Sequence, residues 1–242
     1  MVRPPLTDIL FLDIETVGGA ASYDELPPRL QAQWNRKAQY VRSTPEETPA
    51  ETYSDKAGIY AEFGKIVTVA VGFLTPQEEE YQLRVKAYFG HNEAELLTQV
   101  ANLLAKGFDP KKLYLCGHNI KEFDIPYLCR RMLVNGVALP AALDIAGKKP
   151  WETQFLDTLE LWKFGDYKHF TSLELLATLF GLDSSKSDID GSQVNGVYYG
   201  EEQGLERIAE YCRQDVLVTT NLYLKMRGEP IIPEEAVTFV TD

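Results

Sequence analysis

Residues 8–14, Asp-Ile-Leu-Phe-Leu-Asp-Ile, form a short run that is almost wholly apolar inside yet carries an aspartate near its carboxyl end. A run of that length and composition reads as a central strand buried on both faces. Asp13 and Glu15 lie two residues apart at its end, and residues i and i+2 of a strand face the same way. Both carboxylates therefore point into one place, at the carboxyl edge where open α/β sheets put their ligands. Acids in so apolar a segment are costly unless they are paired or bind a metal. The pair alone is equally compatible with a turn-capping aspartate beside a solvated glutamate.

The rest of the chain supplies the sheet that such a strand needs. Residues 66–74 are rich in β-branched types and read as a second strand. Residues 81–89 alternate, with Tyr81, Leu83, Val85 and Ala87 on one face, as a half-exposed third strand does. The polar turn Thr75 to Glu80 joins these two into a hairpin. Asn92 and Glu95 show a capping-box pattern, followed by Leu96, Val100, Leu103 and Leu104 at helical period. Leu113 to Gly117 is a fourth strand, Ile125 to Val134 a helix with Pro126 in its first turn, and Phe155 to Asp157 a fifth strand. Thr171 with Glu174 caps a further helix, which Gly181 ends. The last helix runs from about Gly204 to Met226, with Leu205, Ile208, Cys212, Val216, Thr219 and Tyr223 along its buried stripe.

The order β-β-β-α-β-α-β-α-α predicts an α/β fold with a mixed central sheet. Its N-terminal part holds three strands with the antiparallel hairpin, and two further strands run parallel. Residues 1–242 read as one domain with an insertion at about 18–64. A structureless loop of that length would be unusual. A helix is expected over Leu26 to Tyr40, through Leu30, Trp34 and Ala38, while the Pro/Glu/Thr-rich segment Arg42 to Asp55 is expected to be mobile. Gly181 to Gly200 is polar and glycine-bearing, and reads as a loop.

Three more residues fall where they can reach Asp13 and Glu15. Asp124 follows the fourth strand, at the start of a helix on the same sheet edge; a simple N-cap is its bland explanation. Tyr211 and Asp215 are four apart on the last helix, hence on one face. Taken singly, each acid has an ordinary structural reading. Their repeated placement at strand ends and helix starts that converge on one edge is what discriminates. Asp157, at the end of the fifth strand, reads as supporting or structural. His118 and His169 lack metal-ligand spacing and are not expected to be catalytic. Lys168 and Lys186 could touch phosphate, although lone lysines are usually solvated.

The net charge of −12 is the strongest argument against a polyanionic partner. Two bound divalent cations would bring it only to −8, so affinity for nucleic acid should be modest and metal-dependent. No run approaches the ~20 apolar residues of a membrane helix, and Pro4, Pro5 and Asp8 interrupt any signal-peptide layout. Cys116, Cys129 and Cys212 are too scattered for a disulfide framework or a zinc site and fit a reducing cytoplasm.

Phe-Leu-Asp-Ile-Glu-Thr (11–16), Asn-x-x-x-Phe-Asp-Ile-Pro-Tyr-Leu (119–128) and Tyr-Cys-Arg-Gln-Asp-Val (211–216) resemble, in order, the three motifs of the DEDD 3′→5′ exonucleases. The likeness is greatest to the proofreading exonuclease domain of family B DNA polymerases. Tyr211, four before Asp215, marks the tyrosine subclass; Glu210 stands where the other subclass carries histidine. The resemblance spans Leu10 to Tyr223 and implies a ribonuclease-H-like fold. It also implies two Mg²⁺ or Mn²⁺ ions, with Asp13 bridging them, Glu15 and Asp215 completing the shell of one, and Asp124 supporting the other. Tyr211 would orient the attacking water, and Asn119, Phe123 and Thr16 would contact the terminal nucleotides. The expected substrate is the 3′ end of single-stranded DNA, and the expected product a 5′-nucleoside monophosphate. RNA is the alternative substrate, and an idle accessory subunit that binds nucleic acid or a polymerase is the alternative of another class. The chain departs from the family plan in its long insertion. No polymerase domain follows, so it is expected to act alone or with a polymerase or repair partner.

Overall fold

The structure, a computed structural model, describes residues 3–78, 80–166, 170–182 and 189–240. Strand β1 (Ile9–Gly18) is buried along nearly its whole length and runs four residues beyond the expected end. The insertion that follows holds two helices, α1 (Pro28–Val41) and α2 (Pro49–Lys56). Strands β2 (Gly64–Gln77) and β3 (Glu80–Phe89) form the expected hairpin, with Gln77 opposite Glu80. Helix α3 (Glu93–Lys106) begins at Asn92, whose side chain accepts from the Glu95 N–H. Strand β4 (Tyr114–Gly117) leads to α4 (Asp124–Val134), and β5 (Phe155–Asp157) leads to the short α5 (Thr158–Lys163). Helices α6 (Leu173–Leu179), α7 (Val194–Gly200) and α8 (Gly204–Arg227) precede a final strand, β6 (Val237–Val240).

The sheet has six strands in the order β5-β4-β1-β2-β3-β6. β1 pairs antiparallel with β2 and parallel with β4, β4 pairs parallel with β5, and β6 lies parallel to β3. This mixed sheet with flanking helices is consistent with the ribonuclease-H-like exonuclease fold. Helix α8 covers one face, where Phe11 meets Tyr223 edge-on at 5.8 Å between ring centres. A side chain at Gly72 would place its Cβ 2.7 Å from Val216 Cγ1, so the glycine sets how closely α8 approaches β2. On the opposite face, α3 and α4 bury Leu96, Val100, Ile125 and Leu128 against Leu10, Leu12 and Ile14. No helix among the described residues is long and apolar enough to cross a membrane.

Several expectations need correction. The helix after Thr171 is capped by Ser172, whose hydroxyl accepts from the Leu175 N–H, so Thr171 is left one position too early. Residues 194–200 of the expected Gly181–Gly200 loop are helical, because Val194 and Val197 supply an apolar pair that packs beside α8. β6 was not among the expected strands: Val237, Thr238, Phe239 and Val240 are all strand-favouring types, but the run is only four residues long and gains its ladder by lying beside β3. The Arg42–Asp55 segment is not uniformly irregular. Thr48 and Glu51 form a capping box that starts α2, and α2 buries Tyr53 against Trp34 of α1, with ring centres 5.3 Å apart. Trp34 in turn donates to the Pro49 carbonyl at 2.8 Å. The low overall hydrophobicity of the segment concealed one tyrosine that docks into an aromatic cluster with Trp34, Tyr60 and Phe63.

Candidate active site

β1 pairs with β4 only through Ile9, Leu10 and Phe11. Past Phe11, that side of β1 outruns its parallel neighbour. The Ile14 N–H is met instead by Asp124 Oδ1 at 3.1 Å. Asp124 is the first residue of α4 and only 3% exposed, so its carboxylate is built into the gap that β4 leaves. Phe123, rather than Asp124, occupies the helix cap position.

Asp13 and Glu15 stand opposite Ala70 and Thr68 of β2, before a register shift that follows Glu15. The alternation puts both on the face that α8 covers. Cys212 of α8 donates its thiol to Asp13 Oδ2 at 3.2 Å. Ligand atoms of Asp13, Glu15 and Cys212 all lie within 4.8 Å of one another. Glu15 is 9% exposed. Asp215, one turn further along α8, accepts a hydrogen bond from Tyr211 and acts electrostatically on Asp13 and Glu15. Three elements (β1, α4 and α8) thus bring together the four acids singled out in the sequence, with Tyr211 beside them.

The electrostatics follow from this crowding. Burial, then the charges of Glu15, Asp215 and Asp124, hold Asp13 well above the usual carboxylate range. Glu15 is raised well above it by burial and by Asp215 and Asp124. Burial pushes Asp124 up to about 7, although the Ile14 N–H opposes the shift. Burial likewise takes Asp215 to about 6, against the hydrogen bond from Tyr211. The Tyr211 phenol is driven far above its ordinary value by burial and by the surrounding carboxylates. Among the described residues, no lysine or arginine forms an ion pair with any of the four acids. The site is a buried cluster of carboxyls with no cationic partner among the described residues, each holding its proton more tightly than usual, and its donors are oxygens of the kind hard divalent cations prefer.

The neighbouring residues have well-defined tasks. Asp157 accepts from the backbone N–H groups of Asn119, Lys121, Leu159 and Glu160, at 2.9, 3.1, 2.9 and 3.4 Å. It organises the loop after β4 and caps α5. Asn119 adopts a left-handed backbone (φ 59°), and its carbonyl accepts from Glu122 and Phe123 in the turn that leads to Asp124. Phe123 is half-buried against Tyr127, with ring centres 5.4 Å apart. Thr16 hydrogen-bonds the Tyr127 hydroxyl, which also donates to the Gly58 carbonyl at 2.8 Å. His118 has both ring nitrogens engaged, Nδ1 with Thr158 Oγ1 at 2.9 Å and Nε2 with the Thr171 carbonyl at 2.8 Å. Burial pushes its imidazole below the ordinary value. Lys168, His169 and Lys186 lie outside the described residues. Sequence reasoning passed over Cys212 as a small buried hydrophobe; its place beside Tyr211 in the third motif was the available signal.

No curated protein matches the chain. Residues 59–229 match a family described as predicted 3′–5′ exonucleases related to the exonuclease domain of PolB. The matched span carries Asp124, Tyr211 and Asp215 and begins after β1, so Asp13 and Glu15 join it through the sheet. With the match covering well over half of its residues, the chain belongs to this family of predicted 3′–5′ exonucleases related to the exonuclease domain of PolB.

Proposed function

We propose that the protein is a 3′→5′ exonuclease that uses two divalent cations, Mg²⁺ or Mn²⁺, to hydrolyse the terminal phosphodiester of single-stranded DNA. The product is a 5′-nucleoside monophosphate. The observation that carries this reading is the convergence of Asp13, Glu15, Asp124 and Asp215 without a cationic partner among the described residues. A buried cluster of like charges is costly unless a counter-charge completes it. The donor set fits two hard cations, which the carboxylates of Asp13, Glu15, Asp124 and Asp215 would hold between them. When bound, they supply the charge stabilisation and the acidified water that in-line displacement at phosphorus needs.

The chain's own residues do the positioning. The Ile14 N–H anchors Asp124 against β1, so this carboxylate keeps its place when its charge is neutralised. Cys212 braces Asp13 in the same way from α8. Tyr211 stays protonated at neutral pH; its one O–H donates to Asp215, its oxygen can still accept from the water, and so it orients that water and does not remove a proton. The P–O3′ bond breaks as water adds to phosphorus, and the leaving 3′ oxygen takes a proton.

The relation to the PolB exonuclease domain supports DNA as the substrate. The test is digestion of a 5′-labelled single-stranded oligonucleotide, as DNA and as RNA, with Mg²⁺ and then Mn²⁺. Stepwise shortening from the 3′ end with release of 5′-mononucleotides is expected, faster on DNA. Intact label with both cations would overturn the nuclease reading. A titration that found no pair of cations would leave the idle accessory subunit in its place.

A further inference from the structure

An acidic chain that acts on a polyanion needs a source of affinity other than a basic surface. We propose that Phe170, braced edge-on by His118, is a stacking platform for an unpaired base of the strand engaged at the acidic site. This inference rests on the nuclease reading and adds a binding determinant to it.

Phe170 is 68% exposed, whereas most of the protein's phenylalanines are buried or half-buried. Its ring is nonetheless located, because it meets the His118 ring at 6.2 Å between centres and 74° between planes. His118 cannot turn away, since Thr158 and the Thr171 carbonyl hold both of its nitrogens. An exposed ring with a fixed support is what a sequence-tolerant base platform requires.

Its position is the second argument. His118 directly follows β4, the strand whose carboxyl end opens the gap that Asp124 fills. Thr171, next to Phe170, is bonded to that same histidine. Four residues after Phe170, Glu174 of α6 is close enough for its charge to act on Asp215. These links tie Phe170 to the end of β4 and the start of α6, the elements that flank the acidic site. The third argument is charge. With a net charge of −12, long-range repulsion opposes binding, so short-range stacking and the cations must supply the affinity. A base stacked on an aromatic ring is worth about 5- to 150-fold in affinity when the ring is removed.

The test compares wild type, Phe170→Ala and Phe170→Trp in the full chain, with Ca²⁺ for equilibrium binding and Mg²⁺ or Mn²⁺ for turnover. The probes are a fluorescent oligo(dT) and the same oligonucleotide with abasic sugars in its last three 3′ positions. Phe170→Ala is expected to weaken oligo(dT) binding by about 5- to 150-fold and to raise KM far more than it lowers kcat. It should scarcely change binding of the abasic probe, and Phe170→Trp should restore the wild-type values. An equal effect on both probes, no effect on either, or failure of the wild type to bind oligo(dT) would overturn the proposal. Base-dependent binding that Phe170→Ala abolishes, in a wild type that hydrolyses nothing, would uphold the platform and overturn the nuclease reading alone.

Discussion

At the scale of single residues, the four acids and Tyr211 are close together but have separable tasks. Asp13 carries the charges of three other carboxylates at its flank, so its removal relieves repulsion in the metal-free protein. Asp13→Ala is expected to abolish hydrolysis while leaving the metal-free melting temperature unchanged or higher; retained turnover in the purified variant would refute the assignment. Asp215 and Tyr211 are bonded to each other, yet one supplies charge and the other a single hydrogen bond. Asp215→Asn should weaken Mn²⁺ binding and cut the rate severely, with partial recovery at high Mn²⁺. Tyr211→Phe should keep near-normal metal affinity and lose at most about 10²–10⁴-fold in single-turnover rate. Calorimetric Mn²⁺ titration of both variants separates these outcomes, and the reverse pattern would show the roles exchanged.

At the scale of elements, the frame around the site depends on a few buried polar links. Glu93 of α3 accepts from Arg131 Nε and Nη2 at 2.9 and 2.6 Å and from the Ile66 N–H at 2.7 Å. Arg131 also donates to the Ala61 carbonyl at 2.9 Å, which ties α4 to the end of the insertion. Arg131→Met leaves the buried Glu93 without its counter-charge, and should cost about 3–5 kcal/mol in denaturant unfolding. The double variant with Glu93→Met should recover much of that loss; a double variant as unstable as the single would mean the packing, and not the charge, is what matters. In the insertion, α1 and α2 are held by Trp34 and Tyr53, while 42–48 forms the exposed connection between them. Limited proteolysis of the free protein should cut within 42–48 and spare 49–56. First cleavage inside α2 would contradict the packing of Tyr53. α1 was legible because Trp34 and Ala38 keep helical spacing. α2 was not, because its decisive contact is to a residue far along the chain.

At the scale of the whole molecule, the acidic cluster couples stability to pH and to metal. Asp124 and Asp215 bind protons more tightly in the folded chain, at about 7 and about 6, than at the ordinary value of 3.8. Their protonation therefore stabilises the fold fully below pH 3.8 and is lost as pH rises through 6 and 7. The melting temperature of the metal-free protein should fall between pH 5 and pH 8. Saturating Mn²⁺ should raise it most at pH 8, because the cation competes with protons for the same oxygens. A metal-free melting temperature that rises over this range, or a Mn²⁺ effect that is larger at pH 5, would contradict the charge distribution described here.

The local pattern of the sequence determined the parts of this protein that depend on near neighbours. The apolar run of β1, the hairpin of β2 and β3, and the i, i+4 spacing of Tyr211 and Asp215 all follow from periodicity within a few residues, and each was visible. So was the placement of Asp13, Glu15 and Asp124 at one sheet edge, since a strand's direction fixes where its end residues arrive. Tertiary structure alone decided which groups satisfy one another across the chain. The Ile14 N–H finds Asp124 110 residues away, and the Cys212 thiol finds Asp13 199 residues away. β6 becomes a strand by borrowing the ladder of β3, and Phe170 meets His118 because that histidine also holds the neighbouring carbonyl. The physical reason is that burial and hydrogen-bond satisfaction are properties of the assembled interior. No window along the chain contains both partners of such a contact.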